Sequence, residues 1–290
     1  MASTLSMVMG NMAFGRLKRH TVIPGFRVTL AFTLLYLAIV VLVPLSSLFF
    51  KASELSPHEL WETISSERVM HAYKISFGIS FLAAAINSVF GLIIAWILCR
   101  YRFPGKKIVD AMVDLPFALP TAVAGIALTA LYAPQGWVGR YLEPMGIHVA
   151  FTPLGILIAL LFVGLPFIVR TVEPILQDAD RELEEAALSL GATRWQTFRL
   201  VIFPSIFPAL LTGFAMAFAR GLGEYGSVIF IAGNIPKLSE IVPLVIVIKL
   251  EQYDYAGATA IACVMLIASF LLLFIINWLQ KWNQKQTRNT

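Results

Sequence analysis

Charge is what this sequence has least of. Only 13% of its 290 residues are Asp, Glu, Lys or Arg, about half of what a soluble domain carries. What charge there is lies between long apolar runs, which excludes an ordinary water-soluble core. Cysteine is nearly absent. Cys99 and Cys263 sit in or at the end of apolar segments, form neither a disulfide framework nor a metal-ligand spacing, and read as small buried residues. The four histidines, His20, His58, His71 and His148, are scattered with no HxxxH or His–carboxylate cluster, so no metal site is expected. A phosphate-binding GxxxxGK[ST] loop is also missing: Gly105-Lys106-Lys107 has neither the upstream glycine nor the hydroxyl residue. The chain therefore carries no ATPase site of its own and is not expected to be an enzyme. The net charge of +5 gathers into no patch or stripe, which argues against a nucleic-acid partner and for contact with anionic lipid headgroups.

What the sequence has in quantity is apolar length. It is 58% hydrophobic with a mean hydropathy of +0.79. Runs near 26–50, 74–99, 110–133, 152–173, 206–233 and 256–280 each approach the roughly 20 residues that cross a hydrocarbon core. The expected fold is thus an all-α membrane protein of about six transmembrane helices. Residues 1–25 would be an N-terminal tail; an amphipathic transit peptide is the competing reading of its first twenty. Residues 281–290 would be a C-terminal tail.

Orientation follows from the distribution of Lys and Arg. With the N-terminus inside, the inner side receives Arg16, Lys18, Arg19, Arg27, Arg100, Arg102, Lys106, Lys107, Arg170, Arg181, Arg194, Arg199, Lys281, Lys285 and Arg288. The outer side receives only Lys51, Arg68, Lys74, Arg140, Lys237 and Lys249. The positive-inside rule then puts both termini in the cytoplasm. Glu54, Glu59, Glu62 and Glu67 fall outside, in keeping with that choice.

The longest inner connection, 174–205, reads as a short amphipathic helix. Asp178 or Asp180 is placed to cap its start, and Glu182, Glu184 and Glu185 sit near the positive end of its dipole. Leu183, Ala186, Ala187 and Leu190 recur at helical spacing as an apolar stripe, and Gly191 is placed to end the helix in a left-handed cap. Such a helix either lies on lipid headgroups or fits a partner's groove. Its acids would face an anionic leaflet, which favours a protein partner.

The run Glu185-Ala186-Ala187, three residues, Gly191, nine residues, Val201, one residue, Phe203-Pro204 resembles the EAA loop of ABC-importer permeases, with Val201 and Phe203 in place of Ile and Leu. That resemblance implies the type I importer permease fold, with a coupling helix seated in a cleft of a separate ATPase subunit. Glu184, Glu185, Ala186, Ala187 and Gly191 would be the ATPase-coupling residues. The segments Tyr101–Gly105, 114–125, 220–234 and 250–262 are similar to sulfate/thiosulfate permeases, to the CysT type more than to CysW, over most of the chain beyond residue 22. This implies sulfate/thiosulfate import across the bacterial inner membrane. The partners would be two CysA-like ATP-binding subunits, a CysW-like second permease and a periplasmic sulfate/thiosulfate-binding protein, with ATP and Mg used only by the ATPase. A molybdate/tungstate importer permease is the nearest alternative. A stand-alone secondary anion transporter is the alternative of another class, although no internal repeat supports it.

Polar residues inside the spans complete the list. Arg220 and Glu224, four apart on one helix face, either neutralise each other to fix packing or place Arg220's charge along an anion route. Gly213, Ala217 and Gly221, and Ala215, Ala219 and Gly223, are small-xxx-small patterns for close helix approach, within this chain or against another. Pro116 and Pro120 disturb the third span, either to line a substrate route or only for packing, and Asp114 and Thr121 there are candidate pathway or packing residues.

Overall fold

The structure, a computed structural model, describes residues 26–179 and 181–287. The expected N-terminal tail, Asp180 as a cap and the last residues of the C-terminal tail lie outside that set. The chain divides into two compact units, Met1–Phe50 and Lys51–Thr290. In the first, α1 (Phe26–Leu37) continues through a π-helical turn (Ala38–Leu42) into α2 (Val43–Ala52). Together they form one helix long and apolar enough to cross a membrane.

Among the described residues of the second unit every regular element is a helix. A short helix α3 (Pro57–Ser65) opens with a capping box, in which the Ser56 side chain and Glu59 satisfy each other's backbone N–H. The long helix α4 (Glu67–Arg100), α8 (Pro153–Asp178) and α11 (Phe203–Leu222) pack on one another. The helix α8 is central because its buried residues run round most of its surface, through Ile156, Ala159, Leu160, Val163, Ile168, Val169, Val172 and Leu176. Ile168 wedges between its neighbours where they are glycine. A Cβ on Gly91 of α4 would fall 2.7 Å from the Ile168 Cβ, and one on Gly213 of α11 would fall 3.1 Å from its Cα. Small residues here let backbones approach. Gly213 therefore serves contact within the chain, as does Gly221, whose Cβ would lie 3.2 Å from Ser80 Oγ. The sequence pattern had left that choice open.

Two of the expected spans differ in the structure. The third is broken: α5 (Lys106–Ala118) and α6 (Thr121–Tyr132) meet at 112°, and a single turn, α7 (Gly139–Leu142), follows before α8. At 1.5 Å per residue α5 and α6 are about 20 and 18 Å long, each too short for a core of about 30 Å. Pro120 supplies the break, since it has no N–H to continue the ladder and holds Leu119 extended (φ −88°, ψ 135°). The fifth run, read from sequence as 206–233, starts earlier and stops sooner. Its helix begins with α10 (Arg194–Thr197), passes a π-helical turn (Phe198–Ile202) into α11, and ends at Leu222. Gly223 turns the chain, α12 (Val228–Ile231) adds one turn, and α13 (Val242–Glu251) is a further ten-residue apolar helix. Hydropathy alone could not separate α11 from α12, because both are apolar; α13 lies outside every run read from the sequence. The last helix, α14 (Tyr255–Thr287), lies where it was expected. Among the described residues five helices are thus long and apolar enough to cross a membrane, or up to six if the bent pair is one span.

The two breaks touch. A Cβ on Gly125 of α6 would lie 2.7 Å from the Ser227 Cα and closer still to its carbonyl oxygen, and one on Gly226 would collide with Thr121 Oγ1. The segment between α12 and α13 is pinned to the start of α4, where Arg68 pairs with the buried Glu240 and Lys237 with Glu67 at 2.5 Å. At the head of α14, Asp254 accepts from Gly257 N–H at 2.8 Å and pairs with Lys249 at 2.6 Å. The Lys249 ammonium, helped by that N–H, holds the Asp254 carboxyl below its ordinary range.

Gly125→Ala forces its Cβ into backbone that has no rotamer to move, and is expected to cost at least about 1–3 kcal/mol. Gly223→Ala meets nothing nearer than 4.0 Å and should be neutral. Thermal unfolding of the two variants in detergent checks the contrast; equal melting temperatures would remove the contact between the breaks.

Candidate functional site

The loop helix predicted from 174–205 is present as α9 (Arg181–Ser189). Asp178 does not cap it, because it is the last residue of α8. Its end is a Schellman motif: Gly191 has φ +86°, Gly191 N–H donates to the Leu188 carbonyl, and Ala192 N–H donates to that of Ala187, each at 3.0 Å. Glycine is needed there, since a side chain in the left-handed region costs roughly 1–2 kcal/mol. The chain resumes at once, as Thr193 accepts from Gln196 N–H and the Gln196 side chain from Thr193 N–H to start α10.

The faces of α9 divide sharply. Leu183 is 60% exposed and Leu190 89%, Ala186 and Glu185 are exposed, and Ala187 is half-buried. Leu188 and Trp195 extend this open apolar surface. Glu184 faces the other way, into an ion pair with Arg100 at the end of α4. It does not belong to the outward set with which the sequence grouped it. Arg100 in turn lies over the Trp96 ring at 5.5 Å; Trp96 meets Phe198 edge-on at 5.7 Å, and Trp195 stacks on Phe198 at 5.6 Å. Cation–π and aromatic contacts of this kind contribute about 0.5–1.5 kcal/mol each. They tie the seat of α9 to α4 and to the start of α11. Sequence reasoning missed Arg100, Trp96 and Phe198 as the seat of α9, because Arg100 lies 84 positions from Glu184 and no local pattern signals such a pairing.

A second arginine closes the same end of the bundle. Arg170 of α8 pairs with Asp110 and Asp114 of α5 at 2.7 Å each and with Glu173 at 2.6 Å. Asp114, a pathway candidate from sequence, is thus held by both oxygens against one guanidinium, a fork geometry that fixes α5 on α8. Thr121 is half-buried against Gly226 at the contact between the breaks.

Arg220 and Glu224 do form a pair, at 2.5 Å. Glu224 is buried, with a side chain 1% exposed. Its other oxygen accepts from Ser227 N–H at 2.8 Å and Ser227 Oγ–H at 2.9 Å, so it satisfies the turn where α11 stops. Arg220 remains 34% exposed. Cys263 is buried and Cys99 half-buried, both free, and no cluster of metal-ligating residues occurs among the described residues.

The chain belongs to the family described as binding-protein-dependent transport system inner membrane component, whose model matches residues 87–289. It is 50% identical over 255 residues to the probable sulfate transport system permease protein cysT of Nephroselmis olivacea, covering 88% of this chain and 90% of that one. It is 49% identical over 259 residues to the sulfate transport system permease protein CysT of Escherichia coli (strain K12), covering 89% and 94%. A bacterial ABC transporter that imports the acidic polysaccharide alginate shares the fold, with a TM-score of 0.73 at 17% identity over 88% of this chain and 94% of that one. The MetNI methionine ABC transporter does so with a TM-score of 0.58 at 18% identity over 79% and 99%.

Glu184→Gln leaves Arg100 half-buried without its counter-charge, and is expected to loosen α9 by about 1–2 kcal/mol, between an exposed and a buried pair. Limited proteolysis should then cut between residues 178 and 193 severalfold faster at unchanged helix content. An unchanged cleavage rate would show that the pair does not hold α9.

Proposed function

We propose that this chain is a permease subunit for sulfate and thiosulfate, driven by separate ATPase subunits that dock on α9. The observation that carries this reading is identity near 50% across about nine-tenths of the length of relatives named for sulfate transport, combined with an outward apolar face on the loop helix. In this reading Glu185, Ala186, Ala187 and Gly191 meet the ATPase, while Glu184 holds the helix to Arg100 from behind. ATP and Mg belong to the CysA-like partner, in agreement with the lack of a phosphate loop here. A CysW-like permease and a periplasmic sulfate/thiosulfate-binding protein complete the complex. The α9 end of the bundle is cytoplasmic by the distribution of Lys and Arg.

The mechanism needs no chemistry on the substrate. Closure of the ATPase pair displaces α9, and the Glu184–Arg100 pair and the Trp96–Phe198–Trp195 stack pass that displacement to α4 and α11. Rigid packed helices then move as bodies, because a close-packed core resists gradual deformation.

The test is ATP-dependent uptake of labelled sulfate in cells lacking their own sulfate importer, supplied with this chain and its three kinds of partner. Uptake should be blocked by excess thiosulfate and reduced at least tenfold by Gly191→Asp, with the variant still inserted in the membrane. Molybdate transport without sulfate uptake would overturn the substrate and keep the architecture. Normal uptake by Gly191→Asp would overturn the role of α9.

A further inference from the structure

The helix α11 has a packed face and an open one. Ile206, Gly213, Ala217 and Leu222 are partly or fully enclosed against α4 and α8. Met216 and Gly223 are exposed, and Arg220 lies between them at four- and three-residue spacing with a third of its side chain open. A permanently charged guanidinium does not face hydrocarbon when its helix can turn it elsewhere. This face is therefore turned to water or to protein that leaves a wet cleft. The residue sits near the end of α11 farthest from α9, the end where substrate is received if α9 is cytoplasmic.

The bonding of the pair is unequal. Glu224 is fully used, taking Arg220 on one oxygen and the Ser227 N–H and hydroxyl on the other. Arg220 is not. Glu224 meets one of its terminal nitrogens, and among the described residues the guanidinium has no second ion-pair partner. An arginine has five N–H donors in a planar fork suited to a tetrahedral oxyanion. A carboxylate needed only to close the turn after α11 has Ser227 for that purpose, so the arginine's open side calls for a separate purpose.

We infer that Arg220 is an anion-contact residue of the translocation route, offering its open N–H groups to a divalent tetrahedral oxyanion, with Glu224 as the positioning residue that holds it. This rests on the permease reading above. Glu224 also sets the strength of the contact. A lone arginine in a low-dielectric cleft would hold a dianion too tightly to release it, and a carboxylate at 2.5 Å offsets much of its field. Passage requires binding that is favourable yet weak.

The experiment uses the complete importer in liposomes, with sulfate uptake and the ATPase activity elicited by loaded binding protein measured together. Single variants leave one buried charge unmatched and can fail for that reason alone. The deciding variant is thus the charge-neutral double change Arg220→Gln with Glu224→Gln. It should assemble, keep stimulated ATPase activity within about twofold of the parent, and carry at least tenfold less sulfate per ATP hydrolysed. Unchanged sulfate carried per ATP would show the pair to be purely structural and overturn the inference. If the double variant does not assemble, Arg220→Lys decides, since it keeps the charge beside Glu224 and loses the fork. A severalfold fall in sulfate per ATP supports the contact, and an unchanged ratio overturns it. Should the parent carry molybdate instead of sulfate, the substrate reading falls, and the same comparison with molybdate still tests Arg220.

Discussion

A backbone inside hydrocarbon has no water to satisfy its N–H and C=O groups, so wherever a helix stops there the protein itself must supply partners. The same demand holds in a buried interior, where this chain breaks two helices and sets the breaks against each other, with Glu224, Ser227 and Val228 enclosed. Thr121 and Gly125 of α6 touch Gly226 and Ser227 beyond α11, and Glu224 takes up the Ser227 N–H, which stands at the start of α12 with no partner inside that helix. Gly125 is there because its backbone meets that of Ser227, and Gly226 because the Thr121 side chain fills the space a Cβ would need. The buried carboxylate is there because a turn needs an acceptor, and Arg220 is there because a buried carboxylate needs a counter-charge. The remaining architecture can be followed outward from this joint: α4 and α8 enclose it, and α13 closes over it through Val242 N–H on Ser76 Oγ.

Arginine does the fastening throughout. Arg68 holds Glu240, Arg100 holds Glu184, Arg170 holds two aspartates and a glutamate, and Arg220 holds Glu224. In each case the arginine on a long helix reaches a carboxylate that is less exposed or lies on a neighbouring segment. Planar bidentate bonding restricts orientation as well as distance, which suits joints between bodies that must move together. The pairs at the α9 end tie a loop helix and a half-span to the core. Of the two at the far end, Arg68 grips both oxygens of Glu240, whereas Arg220 meets Glu224 through one terminal nitrogen, and that difference in bonding separates a fastener from a contact residue.

The number of apolar runs, their helical character and the existence of α9 were legible in the sequence, because each depends on local composition and on periodicity. Gly191 is the clearest instance. Its place after a short amphipathic stretch predicts a left-handed cap, and φ +86° with both Schellman bonds is what the structure has. The pairing of Arg220 with Glu224 was legible for the same reason, since four residues make one helical turn.

Relations across the fold were not. Glu184 looks equivalent to Glu185 along the chain, yet one pairs with Arg100 and the other faces out, because only packing decides which side of α9 meets α4. Asp114 read as a pathway or packing group, and nothing near it in the chain pointed to Arg170, 56 positions away, which binds both its oxygens. Hydropathy merged α11, α12 and the turn between them into one span, since apolar residues fill a broken helix as readily as a whole one. By itself the sequence determined which segments leave water and which residues start and stop helices, as these are near-neighbour energies. The tertiary structure alone decided which charges are matched, where the two breaks meet and which faces stay open. Those outcomes depend on groups far apart in the chain competing for the same space.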